Sequence, residues 1–448
     1  MLETTIRRSI FGFFALPLLF VACSSAKTNA PAPTSACDAR TMIAGVCPGA
    51  PTASICSGDA CVDGVVCASV VRVTSSSELS AAAKSAKSGA CIALAAGSYD
   101  AVDLGNGVSL LGHGAAEVSV AGVRIAGGAV DATMRGVTIG AGGIAAAGAP
   151  GNAGKLTVDR VVVRGAKASS LRLDDVDASI VASSIVDAAG AGILANCATT
   201  GCTAKLSIRS VSVQSVKTYG VWIRGVTADV QGLSIANVQT DGAFGSGTAR
   251  GLEIAAGATV NATGVSVTNC ADVGLLVVES TATITSFGVL QTHRGLQLQQ
   301  LKSGTFSNFE LRDNAGVALG TYNVDGIIIQ QGLIASTGLE HFPSPIDSAP
   351  SFDSGDGVNW TGATNAKLSG VTIQGSARQA AILEAGTSGE FDASFTAGDE
   401  KTGIIIQQGA VAGTSGPTVH SNVTPTHRTG TDALPLLPPL QSATPSPK

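Results

Sequence analysis

The sequence predicts an all-β chain wound as a parallel β-helix, a solenoid of about ten or more coils. Three observations predict it. The composition is rich in Ala, Val, Ile and Leu, with 56 glycines and 4% aromatic residues, which suits short strands joined by tight turns. From about residue 130 the pattern apolar-x-x-apolar-x-apolar recurs, as at Ile208/Val211/Val213, Val230/Leu233/Ile235, Ile284/Phe287/Val289 and Phe306/Phe309/Leu311. The anchors Val211, Leu233, Val265, Phe287 and Phe309 are spaced by 22, 32, 22 and 22 residues. That period is too short for a helix pair and fits one β-coil.

Each copy is followed by a turn and a second alternating run, beginning for example at Val221, Leu252, Leu275, Leu296, Val317 and Val358. Alternation turns one side of every strand toward a common interior, and Gly, Asn and Ser supply the corners. One coil could not bury its apolar side alone. Stacking at about 4.8 Å per coil buries it continuously. Four residues after the first-strand anchor stand Asn237, Asn269, Gln291 and Asp313, expected as a stacked polar ladder that satisfies buried backbone groups.

Residues 75–99, "SSSELSAAAKSAKSGACIALAAGSY", read as a short helix with a serine N-cap followed by strands. This stretch resembles the opening of pectate-lyase-like right-handed parallel β-helices, where a helix covers the open end and L-x-x-G-x-Y begins the first coil. The resemblance spans roughly residues 70–410. It implies a right-handed coil and says little about chemistry. "GHG" at 112–114 is similar to a polygalacturonase motif, but its companion elements are missing and Asp174-Asp175 stands alone. "GVWIRG" at 220–225 is similar to the pectate lyase "vWiDH", with Arg224 in place of the calcium-binding Asp and no His after it. No cofactor is evident; calcium is left open without a motif to support it.

The N-terminus reads as an export signal, with Arg7 and Arg8 ahead of the apolar run "SIFGFFALPLLFVA". "LFVAC" resembles the bacterial lipoprotein lipobox, with Phe20 where the family usually has Leu. The resemblance implies cleavage after residue 22, lipidation of Cys23 and, from Ser24, an outer-membrane address; ordinary signal cleavage is the alternative. The expected organisation is then a tether over 23–36, a Cys-rich segment over 37–70, the β-helix over 71–413 and a Pro/Thr-rich tail over 414–448. That tail is expected to cross the rod's end and fray. Exported cysteines imply disulfides. Cys37, Cys47, Cys56, Cys61 and Cys67 cluster, Cys91 could complete six, and Cys197 and Cys202 could clip a loop. The cluster lacks the paired spacing and local histidines of a zinc site. Cys270 is left over, as a buried core filler. A net charge of −5 gives a nucleic-acid partner no electrostatic support.

Two coils carry inserts: Leu233 to Leu252 spans 19 residues and Leu333 to Val358 spans 25. Long loops on a regular scaffold tend to carry function. Between them lie the turns "TNCADVG", "LQTHRG" and "LRDNAG", which place Asp272, His293, Arg294, Asp313 and Asn314 on one floor. The walls could add Asp241, Glu340, His341, Asp347, Asp353 and Asp356. A histidine, an arginine and carboxylates could abstract a proton beside a uronate or hydrolyse a glycoside, with His293, Arg294, Asp272 and Asp313 as catalytic candidates. They could equally bind sugar hydroxyls, or be surface ion pairs and ladder residues of no function. Trp222 occupies an outward slot near Tyr219 and could offer a sugar-stacking surface or pack under the first insert. The sequence therefore favours an envelope lipoprotein that binds polysaccharide, ahead of a polysaccharide lyase or glycoside hydrolase, and of a structural spacer or adhesin.

Overall fold

The computed structural model describes residues 61–62, 65–125, 131–149, 154–241, 248–342, 351–384, 387–395, 403–407, 417–428 and 433–440. The signal segment, Cys23, the tether, Cys37, Cys47, Cys56 and Asp347 lie outside them, as does the side chain of Cys61.

Parallel pairing builds the molecule coil on coil. Val211 pairs with Leu233, Leu233 with Val265, Val265 with Phe287 and Phe287 with Phe309, so the five anchors stand in one column. Their side chains are buried in one continuous core. Two walls matter for function. Sheet A stacks the first-strand repeats, such as Thr227–Gln239, Thr259–Cys270, Thr281–Leu290 and Gly304–Arg312. Sheet B stacks the second runs: Ala249–Ala255, Val273–Val278, Arg294–Gln299, Gly316–Tyr322, Phe352–Thr361, Gln379–Glu384 and Ile404–Gln407. The right-handed sense of the winding follows the rule for parallel crossovers. The chain is thus the parallel β-helix that its resemblance to pectate-lyase-like proteins implies.

At the N-terminal end a helix spans Ser76–Ser85. Ser75 caps it by accepting from the Glu78 N–H, and Glu78 reaches back to the Thr74 N–H at 2.6 Å. Leu79, Ala82 and Ala83 are buried against the first coil, which hides its open strands. Tyr99 closes that coil, its hydroxyl donating to the Ala95 carbonyl at 2.9 Å. A disulfide joins Cys67 to Cys91 and another joins Cys197 to Cys202.

The corner ladder differs from its expected role. Asn237, Asn269, Gln291 and Asp313 do stack, with φ of 58, 56, 56 and 54°, and Asn269 donates to the Asn237 side-chain oxygen at 2.7 Å. Asn237, Asn269 and Asp313 are exposed, so they do not satisfy buried backbone. They hold left-handed corners, which Asn and Asp tolerate. The residues one step on, Cys270, Thr292 and Asn314, point inward and are buried. Asn314 does the satisfying: its Oδ1 accepts from the Thr292 N–H at 3.1 Å and hydroxyl at 2.8 Å, and its Nδ2 donates to the Val289 carbonyl at 3.2 Å.

The column above Phe309 continues at Gly332, not at Leu333. A Cβ on Gly332 would lie 2.1 Å from the Phe309 ring. Gly332→Ala is expected to cost about 1–3 kcal/mol by overpacking, read as a lower denaturant midpoint. An unchanged midpoint would contradict this packing.

The C-terminus also corrects the expectation. Thr418–Ser421 and Thr426–Arg428 pair parallel with the preceding coils, so the solenoid runs past residue 413. Residues 433–440, "ALPLLPPL", then lie back along sheet B and do not fray, because side chains of that sheet bond their main chain.

Candidate functional site

The outer side of sheet A is open. Its pairs Arg209–Asp229 and Lys367–Glu390 are each about half exposed. The outer side of sheet B is covered. Leu252 and Ile254 point into the core, so Glu253 between them points outward, yet it is 0% exposed. Arg250, Arg294, Gln297, Gln299, Asp356 and Asn359 are likewise buried.

Burial of so much charge requires pairing. Arg250 donates to Glu253 and lies 3.6 Å from Asp272. Arg378 grips Asp356 with two nitrogens, one at 2.7 Å. Arg294 forms no carboxylate pair within salt-bridge distance among the described residues; its Nη1 donates to the Pro438 carbonyl at 2.8 Å. Burial lowers the Arg294 pKa, partly offset by Asp272 and Glu340. Burial also raises the Asp272 pKa, against the pull of Arg250, Arg294 and His293. For Arg250 burial opposes the charge, but Glu253 beside it more than compensates and the pKa rises.

The turn that presents this cluster is fixed from below. Val273 pairs with Arg294, so Asp272 is level with His293, and the Arg294 N–H donates to the Asp272 carbonyl at 2.9 Å. The single Thr292 hydroxyl hydrogen is shared between the Arg294 carbonyl at 2.7 Å and Asn314 Oδ1 at 2.8 Å. A Cβ at Gly295 would lie 2.4 Å from the Ala318 carbonyl oxygen, so glycine is required behind Arg294. Above the turn, Glu340–Phe342 and Phe352–Ser354 form an antiparallel hairpin in the second insert. It delivers Glu340, 11% exposed, onto His293 Nδ1. The hairpin rests on Gly316, where a Cβ would lie 2.9 Å from the Phe342 ring.

The structure thus brings Asp272, His293, Arg294 and Glu340 together. Other candidates fall elsewhere. Asp313 is an exposed corner residue, and Asn314 is 0% exposed beneath the turn, a positioning residue and not a ligand contact. His341 pairs with Asp353 at 2.7 Å on the hairpin's exposed side. Asp241 is exposed at the start of the first insert. Tyr219 and Trp222 stack with centroids 4.4 Å apart but are 6% and 3% exposed, packed with Ala191 and Leu194. They form no open sugar platform, and burial followed by Glu253 pushes the Tyr219 hydroxyl up to about 12. Cys270 is also buried, and burial pushes its thiol up to about 12. We expect its peptide to stay unalkylated in the native protein at pH 8 and to label on unfolding; native labelling would contradict its core position.

Sequence reasoning missed Arg250, Asn359, Arg378 and Gln407. One signal was available: "RGL" occurs at both 250–252 and 294–296, two rungs apart on sheet B. Among the described residues the one potential metal-ligand group is Asp175 with Cys197 and Cys202, whose sulfurs are joined to each other.

No protein-family model matches the chain, and no curated protein matches it. Several solved structures do. The A-module of a mannuronan C-5 epimerase from Azotobacter vinelandii is 15% identical with a TM-score of 0.37, covering 84% of this chain and 97% of that one. The Agl-KA catalytic domain is 11% identical with a TM-score of 0.40, covering 78% and 64%. A periplasmic alginate epimerase is 8% identical with a TM-score of 0.33, covering 82% and 84%. Likenesses at these levels carry no argument about what this chain binds or does.

Proposed function

We propose that the chain binds an extended polysaccharide along the outer side of sheet B. One observation carries the reading. Long polar side chains, Arg294, Gln297, Gln299, Asn359, Arg378 and Gln407, stand along four of the five rungs from Arg294–Gln299 to Ile404–Gln407, where a structural wall would be apolar or solvated. The rung repeat of about 4.8 Å is close to the length of one pyranose unit, so successive sugars would meet successive rungs. Planar amide and guanidinium groups suit hydroxyl and carboxylate recognition. Arg294, held by a carbonyl and by no carboxylate within salt-bridge distance, is the group on this face suited to a uronate carboxylate. The bottom of the site is rigid, because Asn314 and Thr292 bond the turn from below.

The test is a titration of the purified chain with labelled polygalacturonate and with dextran. Binding to either, weakened at least about tenfold by Asn359→Ala, supports the reading. Binding to neither would sink it.

A second reading has one observation behind it. His293 Nδ1 meets Glu340 beside Asp272 and Arg294, a set able to move a proton next to a bound uronate. Shortening of polymer chains by wild type and not by His293→Ala, measured by size-exclusion chromatography, would make the site catalytic. We also propose export and lipid anchoring at Cys23, with an envelope location. Fatty-acid labelling that disappears in Cys23→Ala would support it.

A further inference from the structure

The outer side of sheet B is already occupied by the chain's own C-terminal segment. Gln407 bonds Leu434 in both directions, its Nε2 donating to the carbonyl at 2.9 Å and its Oε1 accepting from the N–H at 2.8 Å. Arg378 donates to the Pro435 carbonyl at 3.0 Å, and Arg294 to the Pro438 carbonyl at 2.8 Å. The segment therefore descends the rungs in reverse order, from Ile404–Gln407 to Arg294–Gln299, as an extended polymer in the groove would. Pro435, Pro438 and Pro439 have no N–H, so the segment cannot add a hydrogen-bonded strand and offers mainly carbonyls to the side chains below.

The fit is incomplete. Among the described residues, Gln299 Nε2 and Asn359 Oδ1 are buried on this face without a hydrogen-bond partner. Leucine and proline side chains have nothing to give them, whereas sugar hydroxyls both donate and accept. Ala433 and the four leucines of the segment are partly covered, whereas Pro435, Pro438 and Pro439 are exposed, so its proline side is left to solvent.

We propose that residues 433–440 are an intramolecular competitor for the polysaccharide groove, a strap that must leave before a glycan can lie along these rungs. The inference rests on the polysaccharide reading and adds its regulation. Because the observed dissociation constant is the intrinsic one divided by the open fraction, a strap closed 90–99% of the time masks about tenfold to hundredfold of affinity.

The experiment uses the full chain and the double variant Leu434→Asp/Leu437→Asp, which alters the strap and no groove residue. Strap release is read without any glycan, as the rate at which a protease removes a C-terminal tag placed after residue 448. Affinity is read by titration with polygalacturonate and dextran. The proposal expects faster cleavage in the variant, at least about tenfold tighter glycan binding, and faster cleavage of wild type when saturating glycan is added. Faster cleavage with unchanged affinity for a glycan that binds overturns the strap and leaves the polysaccharide reading standing. Cleavage no faster in the variant, or unaffected by glycan in wild type, overturns it as well. Binding of neither polymer by either form overturns both readings.

Discussion

Asp356→Ala is expected to destabilise the chain by about 3–5 kcal/mol, because it leaves the largely buried Arg378 without its bidentate partner. Asp356 is 0% exposed and Arg378 13%, so the abandoned cation has little water to turn to. The control is Asp103→Ala. That residue pairs with Arg124 at 3.1 Å, but the two side chains are 74% and 65% exposed, and the loss should be about 0–1 kcal/mol. Denaturant unfolding of both variants checks the contrast. Equal small losses would mean that the outer side of sheet B is solvated, and the covered groove would not exist.

Asn314→Leu is the second large effect. The side chain is 0% exposed and bonds both the N–H and the hydroxyl of Thr292, as well as the Val289 carbonyl. Leucine has similar volume but leaves the Thr292 N–H and the Val289 carbonyl without this partner, at about 1–3 kcal/mol each, while the Thr292 hydroxyl keeps the Arg294 carbonyl. A total near 3–5 kcal/mol is expected, against less than about 1 kcal/mol for Ala at the adjacent exposed Asp313. If Asn314 instead contacted ligand, its loss would weaken binding and spare stability. Measuring the unfolding midpoint and the glycan affinity of the same variant separates the two.

Much of the scaffold was legible because a β-coil writes its period into the chain. The column Val211, Leu233, Val265, Phe287, Phe309 came out in the register that spacing predicts. It then broke at Gly332, because a search for apolar residues cannot see that the Phe309 ring already fills the place of the next side chain. The turn cluster was legible in part: Asp272, His293, Arg294 and Glu340 converge, as the position between the inserts implied. Asn314 was misplaced because the corner turns once more after Asp313, which sends one residue out and the next in. That the outer side of sheet B is covered was not read. Alternation was taken to mean one buried side, whereas "VGLLVV" at 273–278 is apolar on both, as in strands covered on both sides. The tail carried a hint of what covers it. Four leucines in "ALPLLPPL" are too many for a segment that merely frays.

The central claim is that sheet B's outer side is the ligand surface. Hydrogen–deuterium exchange of the strap-released variant, with and without saturating polygalacturonate, tests it directly. Added protection concentrated in residues 294–299, 352–361, 379–384 and 404–407 is the predicted result. Protection confined to sheet A, at 227–239 or 259–270, while sheet B exchanges unchanged, would contradict it.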